Sequence, residues 1–441
     1  MKLAANGKSR EEVLGAMKVM RERDAKWKDG RVFSLVYYAG DDVLELLHDA
    51  FFQFFSENAL NPTAFPSLRR FETEVVSMVG ELLGHPTVAG TLTSGGTESI
   101  LMAVKTARDW AKKHRPQAKH PKMLLPMTIH PAFDKAAHYF GVEAIHVPVD
   151  ANTRADVDAT RAALKEHGDD VILIVGSAPA YPHGMIDPIP ELAQLAQDAG
   201  ILCHVDSCVG GLLLPFVEKL GYPVPPFDFR VPGVTSMSAD LHKYGYAAKG
   251  ASTVLYRTRE LRQFQFVVYP DWPGGLYGSP SMPGTRPGGP IAAAWAVMNY
   301  LGEAGYLRLA KTTMETAHAL EAGVRATPGL YVFGKPDISV FAIGSDTVDI
   351  YAVGDKMDAR GWFLDRQQRP PSLHMTVTPA HAPHVAAILA DLRTSVDEVA
   401  ATGAGATGAG AAAMYGMLGG MPDRGTVGSF ILEFLDSLDR V

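Results

Sequence analysis

Residues 171–206 read VILIVGSAPAYPHGMIDPIPELAQLAQDAGILCHVD, and this stretch decides the fold class. It begins with the apolar run Val171–Val175, passes through a helical pattern over Ile189–Ala199, and ends with a second apolar run, Ile201–Val205. Uninterrupted apolar runs of strand length on either side of a helix are typical of parallel strands that are buried on both faces. We therefore predict an α/β fold, with a largely parallel sheet covered by helices on both faces.

The same alternation of apolar runs and helical patterns extends from about residue 87 to residue 260. Further strands are predicted at Met123–Leu125, Ala144–Val147 and Thr253–Tyr256, and further helices at Glu98–Lys113, Phe133–Phe140 and Asp156–His167. Before this region, helices are predicted at Ser9–Arg21, Asp41–Phe55 and Ser67–Leu83.

The second half of the chain is less regular. Residues 270–290 are predicted to form an irregular loop because they are rich in proline and glycine. A loop of that length in a compact domain is usually functional or linking. A long helix (Ile291–Leu301, then Tyr306–Ala326) and a smaller α+β region follow. Strands are predicted there at Tyr331–Phe333, Ser339–Ile343 and His374–Val377. The low-complexity run 401–413 is predicted to be a connector before a last helix at Val427–Leu438.

Composition excludes several classes of protein. The chain has 441 residues and a formal charge of −7, without a lysine or arginine run, which argues against nucleic acid or an anionic membrane as the main partner. Its two cysteines, Cys203 and Cys208, cannot form a disulfide scaffold and fit a reducing cytoplasm. No apolar run approaches the roughly 20 residues that span a bilayer, and the N-terminus lacks the apolar segment of a signal peptide. We expect a cytoplasmic protein without a transmembrane anchor.

The first candidate site is the segment Thr93–Ser99, which reads TSGGTES and opens a predicted helix. A glycine turn at a helix start presents unpaired backbone N–H groups and the positive end of the helix dipole, which together favour a phosphate. The segment matches neither of the common nucleotide-binding fingerprints. Taken alone, it is equally consistent with an anion site and with a helix start that binds nothing.

The second candidate is Asp206, which ends the apolar run Ile201–Val205. Open α/β sheets bind ligands at the carboxyl ends of their strands, so a carboxylate at this position can face a cofactor. The nearby side chains of Cys203, His204 and Cys208 raise the alternative of a metal site. Their spacing is not that of a zinc motif and there is no second ligand pair, so we predict no metal.

The third candidate is Lys243, in the segment Ser238–Gly245, which reads SADLHKYG and follows a predicted strand at Val234–Met237. Most lysines are solvated, but this one lies among small, aromatic and apolar residues, where burial is expected to favour the neutral, nucleophilic amine. Lys249 adds a second cation nearby. An anion site, a strand-end acid and a buried lysine, in that order, are what pyridoxal phosphate (PLP) requires. His130, at another strand end, is either structural or stacked on the flat cofactor.

These segments, together with Ser177–Pro188 (SAPAYPHGMIDP), Phe227–Val231 and Pro283–Gly289 (PGTRPGG), resemble the PLP-dependent group II decarboxylase superfamily, and within it the soluble bacterial type of sphingosine-1-phosphate lyase. The likeness continues to Met414–Met417 and Phe434–Leu438, so it covers nearly the whole chain. It implies fold type I of the PLP enzymes, which is aspartate aminotransferase-like with a mostly parallel seven-stranded sheet. The pattern of helices and strands along the chain predicts an N-terminal helical segment (1–86), a large PLP-binding domain (87–300) and a small α+β domain (301–441).

The resemblance also implies a role for individual residues. Lys243 would hold PLP as a Schiff base, Asp206 would pair with its ring nitrogen, and His130 would stack on its ring. The implied phosphate contacts are Gly96, Thr97 and His242 from one subunit and Gly284 and Thr285 from the other, which places the active site at a homodimer interface. The implied substrate side includes Tyr37, Asn58, Asn61, Tyr181 and Lys249, with Tyr181 and Lys249 as candidates for proton transfer.

One position departs from the family pattern. Asn61 stands where the family usually has a histidine that helps to bind the substrate phosphate, so one potential positive charge is missing. The implied reaction is retro-aldol cleavage of the C2–C3 bond of a phosphorylated sphingoid base, which yields a long-chain aldehyde and phosphoethanolamine. The alternatives are an amino-acid decarboxylase of the same superfamily and a PLP-binding homologue that has lost activity.

Overall fold

The structure is a computed structural model that describes residues 2–61, 63–402 and 411–438. Its main element is a seven-stranded sheet in the order β1-β7-β6-β5-β4-β2-β3. The helices that precede it and the strands and helices of this sheet region are α1 (Arg10–Met20), α2 (Asp41–Gln53), α3 (Pro66–Leu82), β1 (Ala89–Thr93), α4 (Gly96–His114), β2 (Lys122–Pro126), α5 (Ala132–Phe140), β3 (Glu143–Val147), α6 (Val157–His167), β4 (Val171–Ser177), α7 (Ile189–Asp198), β5 (Leu202–Asp206), α8 (Leu214–Lys219), β6 (Ser236–Ala239) and β7 (Ser252–Tyr256).

The remaining elements form a hairpin, a long helix and a small domain. They are α9 (Arg259–Gln263), β8 (Val267–Tyr269), β9 (Tyr277–Ser279), α10 (Gly288–Arg325), β10 (Tyr331–Val332), β11 (Val340–Gly344), α11 (Ile350–Ala359), β12 (Asp365–Gln367), β13 (Ser372–Thr376), α12 (Val385–Thr402), α13 (Ala411–Gly420) and α14 (Arg424–Leu438). The small domain contains a four-stranded sheet in the order β10-β11-β13-β12.

The large sheet confirms the predicted architecture. β2, β3, β4, β5 and β6 pair in parallel, while β7 runs antiparallel to both β1 and β6. One apolar core lies between the sheet and α3, α7, α8 and α10, and a second lies between the sheet and α4 and α5. Because β1, β4, β5 and β6 all point the same way, their carboxyl ends meet at one edge of the sheet.

The segment 270–290 differs from its prediction. Instead of an irregular loop, it contains strand β9, which pairs with β8 from Val267↔Ser279 to Tyr269↔Tyr277, and the start of α10 at Gly288. The glycines and prolines of this segment lie both in the turn between the strands and after β9, and the two strands, of three residues each, are too short to give a periodic signal. The connector predicted at 401–413 lies mainly outside the described residues.

The predicted domain boundaries at 86 and 300 do not coincide with gaps in the packing. α10 runs through residue 300 and bends at Gly302, whose φ of 52° interrupts the helix. In the N-terminal segment, α3 packs on the large sheet, whereas Phe33 is fully buried in the core of the small domain and stacks on His381 at 4.4 Å. The N-terminal segment therefore joins both domains, and the three-part division remains a prediction.

Candidate active site

A cavity of about 340 Å³ lies where β1, β4, β5 and β6 end. The residues that line it are Ser94, Gly95, Gly96, Thr97, Glu98, Ile100, His130, Ser177, Pro179, Tyr181, Asp206, Cys208, Val209, Asp240, His242 and Lys243. Seven of the predicted site residues are among them. A larger cleft of about 820 Å³, beside Tyr222 and His318, is lined by none of the predicted site residues.

The turn at Gly95 and Gly96 forms an anion cradle. Gly95 caps α4 without a side-chain hydrogen bond, so the first amides of the helix face the cavity. A Cβ on Gly96 would lie 2.8 Å from Cys208 Sγ and 3.0 Å from both carboxylate oxygens of Asp240. Only glycine leaves the cradle open, which fits the phosphate of PLP.

Lys243 follows β6 and forms an ion pair with Asp240, with 3.0 Å between Nζ and Oδ2. The Asp240 side chain is 1% exposed, and its Oδ1 atom is buried without a hydrogen-bond partner. Burial opposes ionisation of this carboxyl group, but Lys243 and His242 outweigh burial and hold the pKa of Asp240 well below its usual range. Asp240 also lines the cavity, so its carboxylate charge belongs to the site.

This pairing corrects the expectation that burial frees the amine of Lys243. Burial does oppose its charge, yet the Asp240 carboxylate outweighs burial and raises the pKa of Lys243. Sequence reasoning missed Asp240, although it lies three residues before Lys243 in the segment that identified the lysine. A carboxylate at that spacing was the available signal.

Asp206 ends β5, as predicted, and lines the cavity. Its Oδ1 accepts hydrogen bonds from the Cys208 amide (3.0 Å) and the Ser238 hydroxyl (3.1 Å). Ser238 in turn contacts His204 Nε2 at 3.3 Å, and burial lowers the pKa of His204 to about 4, so this ring is neutral. The network fixes the Asp206 carboxylate at the cavity wall, where it can pair with a protonated ring nitrogen.

His130 also lines the cavity, and its Nδ1 accepts a hydrogen bond from the Ala132 amide at 3.1 Å. Burial lowers the pKa of His130, although Asp206 acts in the opposite direction. A neutral imidazole held by the backbone presents a flat face, which suits stacking on an aromatic cofactor. Among the residues that the structure describes, no three histidine, cysteine, aspartate or glutamate side chains come together as metal ligands would.

Tyr181 lines the other side of the cavity and contacts the small domain. Its hydroxyl donates to Asp365 Oδ2 at 2.9 Å, and its ring stacks on His374 with 4.1 Å between ring centres. Burial and the Asp365 carboxylate raise the pKa of Tyr181, so the phenol holds its proton. Asp365 and His374 were not predicted, because neither belongs to a motif and β12, which reads DRQ, has no apolar pattern.

Tyr37 and Lys249 lie next to each other near this cavity. Lys249 Nζ is 5.4 Å from the centre of the Tyr37 ring, and it donates to the His242 carbonyl at 3.2 Å. Partial burial and the charge of Lys243 lower the pKa of Lys249 to about 8, while burial raises that of Tyr37 to about 12. Near neutral pH, Lys249 can therefore exchange a proton or bind an anion.

Four predicted residues lie apart from the cavity of their own chain. Gly284 and Thr285 lie at an exposed tip between Met282 and Arg286. The Met282 amide donates a hydrogen bond to Glu98 Oε1 at 3.0 Å. Asn58 and Asn61 lie in the segment that runs beside this tip. Asn58 forms an isolated antiparallel β-bridge with Pro287, and the Ala59 amide donates a hydrogen bond to the Arg286 carbonyl at 2.8 Å. The side chain of Asn61 accepts hydrogen bonds from the amide and hydroxyl of Thr63, at 2.9 and 2.7 Å.

An anion cradle, a strand-end acid, a flat histidine and a buried lysine at the edge of this sheet define a PLP enzyme of fold type I. The chain matches the pyridoxal-dependent decarboxylase conserved domain over residues 9–342. It belongs to the pyridoxal-dependent decarboxylase family, and in that family to the sphingosine-1-phosphate lyases.

The curated relatives support the narrower assignment. The chain is 48% identical to sphingosine-1-phosphate lyase of Arabidopsis thaliana over 435 residues, which covers 97% of this chain and 79% of the relative. It is 44% identical to sphingosine-1-phosphate lyase 1 of Rattus norvegicus, over 99% of this chain and 76% of that protein.

Solved structures agree. The sphingosine-1-phosphate lyase of Burkholderia pseudomallei superimposes with a TM-score of 0.90 at 38% identity, over 100% of this chain and 97% of that one. Glutamate decarboxylase of Lactobacillus brevis (TM-score 0.79, 18% identity, 91% and 95% covered) shares the fold. Within the described residues, no helix combines the length and apolar character needed to cross a membrane.

Proposed function

We propose that this protein cleaves the C2–C3 bond of phosphorylated sphingoid bases, such as sphingosine 1-phosphate, by retro-aldol chemistry. The products are a long-chain aldehyde and phosphoethanolamine, so the enzyme is an aldehyde-lyase of the sphinganine-1-phosphate aldolase type. The observation that carries the proposal is 48% identity to a curated lyase across 97% of the chain, combined with a cavity that holds Lys243, Asp206 and His130.

The residues of the cavity fit PLP in chemical terms. Gly96 keeps the cradle open for the cofactor phosphate, with Thr97 and His242 beside it. Lys243 would bind the aldehyde carbon, His130 would stack on the ring, and Asp206 would keep a proton on the ring nitrogen. When bound, PLP supplies an electron sink for the pair left at C2 when the C2–C3 bond breaks.

The chain's own residues then handle charge and protons. Asp240 balances the charge of Lys243 through their ion pair. Tyr181 and Lys249 are proposed to move the proton between the C3 hydroxyl and C2. Tyr37 lies beside Lys249.

We also propose a homodimer with active sites at the interface. In this proposal, the exposed tip that carries Gly284 and Thr285, next to Asn58 and Asn61, reaches the cavity of a second copy. The hairpin beside it exposes apolar side chains that a partner would cover: Val268 is 72% and Leu276 is 90% exposed. A cytoplasmic location is part of the proposal and is supported by two free, buried thiols.

Purified protein incubated with PLP and sphingosine 1-phosphate tests the reaction. Release of a long-chain aldehyde is expected. Release of CO₂ from an amino acid without aldehyde would favour the decarboxylase alternative, and PLP binding without any product would favour an inactive homologue.

Complementation tests the shared active site. A Lys243→Ala chain co-expressed with a Thr285→Asp chain forms mixed dimers in which one cavity combines a native Lys243 with a native Thr285. Activity is expected in the mixture and not in either variant alone. A mixture that stays inactive while mixed dimers are present contradicts the proposed interface.

A further inference from the structure

The small domain holds Tyr181 from two directions. Asp365 on β12 accepts the phenol proton at 2.9 Å, and His374 on β13 stacks on the ring at 4.1 Å. Asp365 and His374 are direct partners in the register of these two strands, so one strand pair supplies both contacts. His374 is fixed in turn, because its Nδ1 contacts Gln367 Nε2 at 3.0 Å and its Nε2 contacts Thr376 Oγ1 at 2.8 Å.

This arrangement decides how the phenol can act in the cavity. A phenol has one proton to donate, and here that proton is donated to Asp365, which does not line the cavity. The oxygen lone pairs of Tyr181 therefore remain available to a hydroxyl group in the cavity. Without the carboxylate, the phenol could turn its proton toward the ligand and would act as a donor.

We propose that Asp365 is a positioning residue that makes Tyr181 the proton acceptor for the C3 hydroxyl of the substrate. The inference rests on the lyase reaction proposed above. As the O–H bond at C3 breaks, its electron pair forms the C=O bond of the aldehyde. Tyr181 takes the proton and passes its own proton to Asp365.

The same two residues can also supply the proton that C2 needs after the bond breaks. The C2–C3 bond breaks, its electron pair stays on the C2 side, and C2 must gain one proton to give phosphoethanolamine. The proton stored on Asp365 returns to Tyr181, and Tyr181 delivers one proton to C2. One proton leaves the substrate and one returns, so no external acid, base or redox partner is needed.

The surrounding charges are compatible with this role. Tyr181 is within electrostatic range of Asp365, Tyr37 and Lys243. His374 is neutral near physiological pH, because burial lowers its pKa to about 4 even though Asp365 acts in the opposite direction. His374 therefore holds the Tyr181 ring in place without competing for the proton.

Asp365→Asn in the holoenzyme tests the inference, since asparagine keeps the shape and removes the charge. Wild-type protein must first release aldehyde from sphingosine 1-phosphate, and failure at that step refutes the proposed function rather than this inference. We expect the variant to lose about 10²-fold or more in kcat, the usual scale for general acid–base groups, while KM and the PLP absorbance stay unchanged. Asp365→Glu should recover part of the loss.

A double-mutant cycle separates proton transfer from simple structural support. Tyr181→Phe keeps the ring on His374 and removes the hydroxyl. If Asp365 acts through that hydroxyl, the double variant should have the kcat of Tyr181→Phe alone. Losses that multiply in the double variant, or a wild-type kcat for Asp365→Asn, would overturn the inference.

Asp337→Asn provides a matched control for domain docking. Asp337 also joins the two domains, but it pairs with Arg154 at 2.7 Å and not with Tyr181. Its kcat should stay within about threefold of wild type even where thermal stability falls. An Asp337→Asn variant that loses as much kcat as Asp365→Asn would mean that domain contact alone explains both effects, and the proposed role of Asp365 would be wrong.

Discussion

Replacing Arg286 with methionine is expected to destabilise the fold strongly, because it leaves a buried carboxylate without its partner. Arg286 forms a two-pronged ion pair with Glu72, with Nη1 2.7 Å from Oε1 and Nη2 3.0 Å from Oε2. The side chains are only 11% and 15% exposed. Arg286 Nη1 also donates to the Leu92 carbonyl at 3.2 Å, so the pair joins α3, β1 and the segment that carries Thr285.

The size of the effect follows from this burial. Removing one partner of a buried ion pair costs about 3–5 kcal/mol. Glu72 keeps a hydrogen bond from the Leu92 amide at 2.9 Å and some contact with water, so the lower value, about 3 kcal/mol, applies. With a urea dependence of about 3 kcal/mol per M, the top of the range for small proteins, the unfolding midpoint should fall by about 1 M.

Arg70→Met is the matched control. Arg70 pairs with Glu74 on the same helix, α3, at 2.6 Å, but its side chain is 77% exposed. An exposed pair of this kind contributes little to stability, so the urea midpoint should move by no more than ~0.2 M. All proteins must be compared at one concentration, because the stability of an oligomer depends on it.

The reasoning fails if Arg286→Met and Arg70→Met shift the midpoint equally. A second comparison addresses the mechanism. Combining Arg286→Met with Glu72→Gln removes the unpaired charge and should recover part of the lost stability. A double variant that is less stable than Arg286→Met would show that the isolated charge is not the source of the cost.

Four further outcomes are expected. Lys243→Ala should abolish the yellow absorbance of bound PLP, and borohydride should attach the cofactor to Lys243 in the wild type; attachment to Lys249 would overturn the assignment. Gly96→Ala should weaken PLP binding at least tenfold in a fluorescence titration, because its Cβ would lie 2.8 Å from Cys208 Sγ, and unchanged affinity would remove the cradle from the site. Lys249 should react with amine reagents progressively as pH rises through about 8, since a lowered pKa leaves the amine neutral above that value, and a midpoint near 10 by peptide mapping would contradict its environment. Asn61→His should lower KM for phosphorylated substrates by adding a cation, and an unchanged KM would count against its place near the substrate phosphate.

The large domain could be predicted from the sequence because burial leaves a strong local signal. Strands β4 and β5 are buried at every position and mostly apolar, since helices cover both faces of the sheet, and the helix between them carries a clear apolar stripe. The residues predicted to contact PLP within one subunit, among them Asp206 and Lys243, follow such strands. Their meeting at one cavity is therefore a consequence of the parallel arrangement.

The parts that escaped prediction depend on contacts between distant segments. β12 has three polar residues and lies at a sheet edge, so neither apolar runs nor alternation reveal it. The pairing of Tyr181 with Asp365 joins positions 184 residues apart, and no local pattern reports such a distance. The predicted neutral amine of Lys243 is wrong for a related reason: burial alone lowers the pKa of a lysine, but the Asp240 carboxylate raises it here.

The division of the site between domains leads to a separable effect on catalysis. The groups proposed to bind PLP within one subunit follow strands of the large domain, whereas the groups that orient Tyr181 come from the small domain. Tyr244, next to Lys243, adds a direct connection, because its hydroxyl donates to the Val377 carbonyl at 2.7 Å and also contacts Ser339 Oγ at 2.7 Å. Loosening the small domain should therefore slow proton transfer before it releases the cofactor. A Ser339→Ala variant keeps the bond from Tyr244 to Val377, so it should retain PLP absorbance while kcat falls by no more than the threefold limit set for Asp337→Asn. Loss of the cofactor at unchanged kcat per bound PLP would contradict this division of roles.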